Sequence, residues 1–291
     1  MRKPEKTCAE NRKKFKNCDS TSWEWNSGKL NQTLSPFLVR FTSFMIMLKK
    51  FFKGLGIILL LLLILVALVW FQKVDPVQYD LVEHPHLFPD TLAGRAFNRD
   101  SLEAVVGPNK GLPEGFEIQA LLAYAAYPEL RNVKIDMILT QEGAPMESNF
   151  DIKTLFGSGK NRQYRVLLNN ASNTPYDEIL LRNLPFDAQV GILAHELGHV
   201  AYYHRHNTLQ IGKWGLSYLL KDDFHAAHEQ STDLMVVYHG MGSQIWQYAH
   251  YVRYDDCCRN MYEQFGNEFM DKYYLSDKAI KAAMAEHPLY R

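Results

Sequence analysis

The stretch Asp187–Ala201, DAQVGILAHELGHVA, decides how this chain is read. At about 100° per residue, Val190, Leu193, Ala194, Leu197 and Ala201 fall on one helical stripe. His195 and His199, four apart, share a face that points nearly the opposite way. The pattern predicts a helix that buries one side and turns the other toward a cleft. Pro185 precedes it, and Asp187 is the expected N-cap. The spacing also carries chemistry. Two imidazoles one turn apart can reach a single metal ion, and Glu196, about 100° around the axis, can contact a water at that ion rather than the ion itself.

A pair of histidines needs a third ligand. His204 projects toward the apolar stripe, and His206 lies about 10 Å further along the axis. The extended motif with Gly at position 202 and His at 205 is excluded, because those positions hold Tyr202 and Arg205. A second helix is expected over Asp223–Gly240, DFHAAHEQSTDLMVVYHG, with Asp222 or Asp223 at its start and Gly240 past its end. Its Glu229 and Asp233 are one turn apart. The first would complete a His₂Glu set with one position open, and the second can accept a hydrogen bond from a ligand histidine and fix its tautomer. Two acids at this spacing repel unless a cation lies between them. His225 and His228 are rival ligands on the same helix.

Working outward, residues 75–291 have the length of one domain. Residues 72–95, with Pro76, Pro85, Pro89 and Gly94, read as a linker that wraps onto it. Phe116–Tyr127 reads as a helix ended by Pro128. Val133–Gln141 alternates as a half-buried strand, Gly157-Ser158-Gly159 reads as a turn, and Gln163–Asn169 as a second strand. After Pro185 the pattern is helical.

His195-Glu196-Leu197-Gly198-His199 followed by Glu229-Gln230-Ser231-Thr232-Asp233 resembles the gluzincin pattern. In particular it resembles the family of the CAAX-prenyl proteases and the bacterial membrane heat-shock protease, over about residues 186–240. His287-Pro288 is a fainter echo. The resemblance implies one zinc ion per chain held by His195, His199 and Glu229, with Glu196 as general base and Asp233 supporting a ligand. It also implies a polypeptide substrate bound as an extended strand on a sheet edge, for which Gln163–Asn169 is the candidate. The fold class expected is therefore α+β: a single N-terminal transmembrane helix followed by a zincin-like domain with a small sheet and an α-helical active-site half.

The membrane segment is read from Leu55–Phe71, LGIILLLLLILVALVWF, 17 residues without an ionisable side chain. They cover about 25 Å against a bilayer core of roughly 30 Å, and Phe51 and Phe52 extend them. Lys49, Lys50 and Lys53 flank one end and Lys73 the other, which predicts a cytoplasmic N-terminus and an extracytoplasmic domain. No A-x-A site follows, so an uncleaved anchor is expected. The divisions are then a basic segment 1–53, an anchor 54–72 and the domain 73–291. Residues 1–46 show no clear period, and Met47, just before LKKFFKG, is the expected translation start.

Residues 1–53 carry 12 Lys/Arg against 4 Asp/Glu, while the remainder carries 20 against 28. The acidic balance of the domain argues against a nucleic-acid partner. At 47% hydrophobic and 13% aromatic the chain can build a core, and four cysteines make no disulfide scaffold. Cys257 and Cys258 are adjacent and are expected as thiols or as bonds to another chain. Cys8 and Cys18 are expected free.

The function expected is a membrane-anchored zinc endopeptidase. The alternative is a catalytically idle zinc-binding envelope protein that binds partners. A donor to supplement the metal at a developing oxyanion is sought among Tyr238, His239, His250 and Tyr251.

Overall fold

The computed structural model describes residues 27–70, 86–154, 161–171, 176–256, 258 and 267–291. They fall into two units, within residues 1–64 and 65–291. Helix α1 (Ser27–Trp70) is one continuous helix. Its segment Ser43–Ala67, 25 residues long, is apolar and long enough to cross a membrane. The helix starts well before the apolar run. No Gly or Pro interrupts residues 37–53, so a helix nucleated in the leucine tract propagates back as far as Phe37 at little cost; the helix also includes Pro36 and the residues before it.

The second unit joins a small sheet to a set of helices. In chain order these are α2 (Arg99–Val106), β1 (Lys110–Gly111), α3 (Glu117–Ala125), β2 (Lys134–Thr140), β3 (Met146–Phe150), β4 (Gln163–Asn169), α4 (Phe186–Arg205), α5 (Thr208–Leu220), α6 (Asp222–Val236), α7 (Gly242–Tyr254), α8 (Asn267–Tyr273) and α9 (Asp277–Glu286). The sheet order is β1-β2-β4-β3. β2 runs parallel to β4 and β3 antiparallel to it. Opposed pairs Ile135–Tyr164 and Met137–Val166 place four buried side chains on one face, as period-two alternation requires. β4 thus lies inside the sheet. The strand beside the helices is β3, a short polar edge, MESNF, that alternation of apolar residues does not reveal. The Gly157–Gly159 turn lies outside the described residues.

Helix α4 runs through the centre of the main core. Almost every residue from Asp187 to Ala201 is buried, so it is covered on all sides rather than on one stripe. α3, α6, α7 and β3 all pack on it. Close approach of α7 requires Gly191, since a Cβ there would lie 2.4 Å from the carbonyl oxygen of Gln244.

Asp187 is not the N-cap. The helix begins at Phe186, after Pro185. The buried Asp187 carboxylate instead accepts the backbone N–H of Leu92 at 2.7 Å and of Ala93 at 3.1 Å. Residues 86–95 are thereby tied to the start of α4, as a wrapped linker would be; residues 72–85 lie outside the described residues. Gly240 does lie just past the end of the second helix, as expected: α6 and α7 are two helices separated by a kink at Gly240. Gly240 adopts φ +85° at that kink, where its carbonyl accepts the N–H of Phe88 and a Cβ would meet the carbonyl oxygen of His86 at 2.0 Å.

Gly191→Ala should therefore cost about 1–3 kcal/mol through overpacking. Gly212→Ala, at an exposed α5 position with nothing within 4 Å of the added carbon, should be neutral or stabilising by up to about 1 kcal/mol. Thermal denaturation of both variants checks the contrast. Equal melting temperatures would remove the close-approach argument.

Candidate metal centre

Helical spacing brings His195 and His199 to one face of α4. The crossing of α6 over that helix adds Glu229 between them. His195 Nε2 lies 3.1 Å from His199 Nε2, and Glu229 Oε2 lies 3.2 Å and 3.4 Å from these two nitrogens. All three side chains are buried, and their donor atoms lie within 4.8 Å of one another. Two imidazole nitrogens and a carboxylate oxygen converging this closely form a ligand set that could hold a metal ion. Borderline-soft divalent metals such as zinc suit this donor chemistry.

The other predicted residues fall around this group. The Nδ1–H of His195 donates to Asp233 Oδ1 at 2.8 Å, which leaves Nε2 to face the cluster. Asp233 Oδ2 accepts the N–H of Leu275 at 2.9 Å, so the carboxylate is itself held in place. Glu196 stands apart from the three donors, in the wall of the same cavity. Its Oε2 accepts a hydrogen bond from Ser148 Oγ of β3 at 2.7 Å. His228 is fully buried behind the site, with Nε2 3.2 Å from His199 Nδ1. His225 stacks on Tyr218 and reaches within 3.8 Å of Glu229 Oε1 from the cavity edge. His204 packs against Tyr164, and His206 donates from Nδ1 to the carbonyl of Tyr202.

Sequence spacing missed two contributors. Tyr218, at the end of α5, donates its hydroxyl hydrogen to Glu229 Oε1 at 2.8 Å. Ser148 comes from the polar edge strand. Neither lies in a motif, and only the packing of α5 and β3 on the site helices selects them. The four expected oxyanion donors are placed elsewhere. His239 is bonded to Glu129 and Met235, Tyr238 stacks on His287, His250 stacks on Trp246, and Tyr251 donates to the carbonyl of Asn183. Among the described residues the cavity is instead lined by Tyr176, Tyr203, Tyr218, Tyr248 and Tyr274.

The cavity holds about 500 Å³. One wall is a small apolar cluster separate from the main core, containing Ile179 and Met270 with Tyr176, Tyr248 and Tyr274 around them. Cys258 is a buried cysteine of that cluster, its Sγ 3.9 Å from the carbonyl oxygen of Glu178; Cys257 lies outside the described residues.

Electrostatics follow from burial plus pairing. Burial disfavours an imidazolium at His195, but the hydrogen bonds to Asp233 and Glu229 outweigh it and hold its pKa well above the ordinary histidine value. Burial likewise opposes the Glu229 carboxylate, yet His199 and His195 hold it well below the usual carboxylate range. At His228 burial dominates, the neighbouring His199 adds to it, and the pKa falls well below the ordinary value. Burial, and after it the charge of Glu229, pushes the Tyr203, Tyr218 and Tyr274 hydroxyls up, so they remain neutral donors.

Comparison with protein-family models, with curated proteins and with solved structures finds no match to this chain.

A metal entering this group competes with the proton that Glu229 and Asp233 stabilise on His195. Below the raised His195 pKa, zinc affinity should therefore fall about tenfold per pH unit. Asp233→Asn should weaken zinc binding by about 10–100-fold. Chelator-competition titrations between about pH 5 and pH 7 check both; an affinity flat across that window contradicts the proton competition.

Proposed function

We propose that this chain is a membrane-anchored zinc endopeptidase. One observation carries the reading. A second carboxylate, Glu196, faces the same cavity as the His195–His199–Glu229 group without belonging to it. A ligand set alone would describe a structural site. A base placed beside an open one suits hydrolysis.

Bound zinc would supply Lewis acidity, polarising a substrate carbonyl and acidifying water. The remaining work falls to the chain's own groups. His195, His199 and Glu229 hold the ion, and Asp233 keeps His195 Nδ1 protonated so that Nε2 is the ligand atom. Glu196 takes a proton from water as its oxygen attacks the peptide carbonyl. The same carboxyl returns that proton to the departing amine nitrogen as the C–N bond breaks, leaving a carboxylate and an amine. Ser148 orients Glu196. The neutral tyrosine hydroxyls of the cavity, not Tyr238, His239, His250 or Tyr251, are the candidate donors to the oxyanion.

β3 is the sheet edge beside the cavity, and Met146, Glu147 and Ser148 line it. An extended polypeptide pairing with β3 would bring its backbone past Glu196. This favours β3 over Gln163–Asn169 as the strand that would pair with substrate, because both edges of Gln163–Asn169 are already paired. For topology, the lysines before the apolar run support a cytoplasmic N-terminus and a domain on the far side of the membrane.

The test is hydrolysis of an unfolded protein such as casein by the full chain, with and without a chelator. Glu196→Gln should retain zinc and lose roughly 10²–10⁴-fold in turnover. A Gln variant as active as the wild type would refute the role of Glu196. Metal without turnover in the wild type would point to an idle binding protein.

A further inference from the structure

Helix α5 (Thr208–Leu220, TLQIGKWGLSYLL) is bipartite in an unusual sense: both of its faces are apolar. At about 100° per residue, Ile211, Trp214 and Tyr218 lie within one arc. That arc faces the protein. Trp214 packs edge-on against Tyr203 and His228, and Tyr218 bonds Glu229. On the opposite arc, about 120° wide, lie Leu209, Lys213, Leu216, Leu219 and Leu220. Leu219 is 80% exposed and Leu209 72% exposed. They are the two most exposed large apolar side chains among the described residues, the membrane helix included. The helix contains no acid, and its single charge, Lys213, is exposed at the margin of the leucine face.

We infer that this outer face of α5 seats on the surface of a lipid bilayer. Three observations favour lipid over a protein partner. The chain carries its own candidate span, and only the 15 residues 71–85 separate Trp70 from His86. Fully extended, they reach at most about 55 Å. A domain tethered that closely meets the bilayer at high effective concentration, so a modest apolar face suffices. The face is leucine with one lysine and no carboxylate, the composition of a helix lying in the headgroup region, where the lysine stem stays among apolar groups and its ammonium reaches phosphate. Finally, the residues turned inward include the buried Ile211 and two aromatics, Trp214 and Tyr218, that contact α4 and α6. The outer leucines therefore cannot rotate into the core, and in solvent they would remain an exposed apolar patch.

One consequence concerns the site. The helix on the bilayer is the one whose Tyr218 bonds the Glu229 carboxylate, so the candidate metal centre sits one helix thickness from the lipid. The inference rests on the membrane-anchor part of the proposed function and not on peptidase chemistry.

The experiment uses the full chain in vesicles of phosphatidylcholine and phosphatidylglycerol. A photo-crosslinker at the most exposed position, Leu219→p-benzoylphenylalanine, reports its neighbour after illumination. The expected product is a phospholipid adduct identified by mass, and adding Leu209→Glu should reduce its yield several-fold. Circular dichroism identical to the wild type shows that these exposed substitutions leave the fold intact. A crosslink joining two chains overturns the inference in favour of a contact between copies. Absence of any lipid adduct, in chains that stay with the vesicles through an alkaline carbonate wash, overturns it outright. Chains washed away by carbonate would instead remove the membrane anchor itself, and the inference would fall with it.

Discussion

The structure depends on a carboxylate that has no business being buried alone. Glu229 lies almost wholly inside the protein, where an unpaired negative charge is strongly disfavoured. It survives there because two imidazole nitrogens approach one of its oxygens and the Tyr218 hydroxyl satisfies the other. The same constraint acts in reverse on His195, which carries Asp233 on one nitrogen and faces Glu229 with the other. Removing one partner strands a buried charge, so the group stands or falls as a unit. A divalent cation shared by all three donors resolves this electrostatic problem most completely.

Everything around the group serves its placement. α4 is buried on every side because it must present His195, Glu196 and His199 at fixed positions to three different elements. α6 supplies Glu229 and Asp233 from a single turn, α5 supplies Tyr218, and β3 supplies Ser148. Gly191 lets the backbone of α7 close over the helix. Asp187 ties the chain arriving from residue 86 to the first turn of α4. Residues 92 and 93 are thus fixed to the first turn of the helix that carries His195 and His199.

Several features were expected differently, for identifiable reasons. A 100° wheel assigns an apolar stripe to α4, but it cannot see that buried polar residues find partners on the other side, so the cleft face is also a core face. The aspartate near the helix start looks like a cap because capping is the commonest use of that residue there; a distant loop offering two N–H groups makes better use of it. By contrast, Gly240 is a helix end as its type suggests, because glycine takes the positive φ that breaks the helical path before α7 without a Cβ clash. β4 was the legible strand because it is apolar, and it is apolar because it is interior. The edge that lines the cavity, β3, is polar and short, so its sequence carries little strand signal.

The sequence by itself determined the local facts: a helix with two imidazoles one turn apart, a second helix with two acids one turn apart, a strand at residues 163–169, and an apolar run long enough for a bilayer. These follow from period and composition, which act over a few residues. Only the tertiary structure decided that Glu229 rather than His225 or His228 stands between the histidines, that Asp233 reaches His195, that Tyr218 and Ser148 join them, and that the cavity tyrosines replace the expected donors. Such choices depend on how helices cross, and the crossing is set by side-chain volume at contacts such as Gly191 with α7 and Gly198 with Thr232. No spacing rule along the chain encodes that volume, because the groups that must fit together are tens of residues apart.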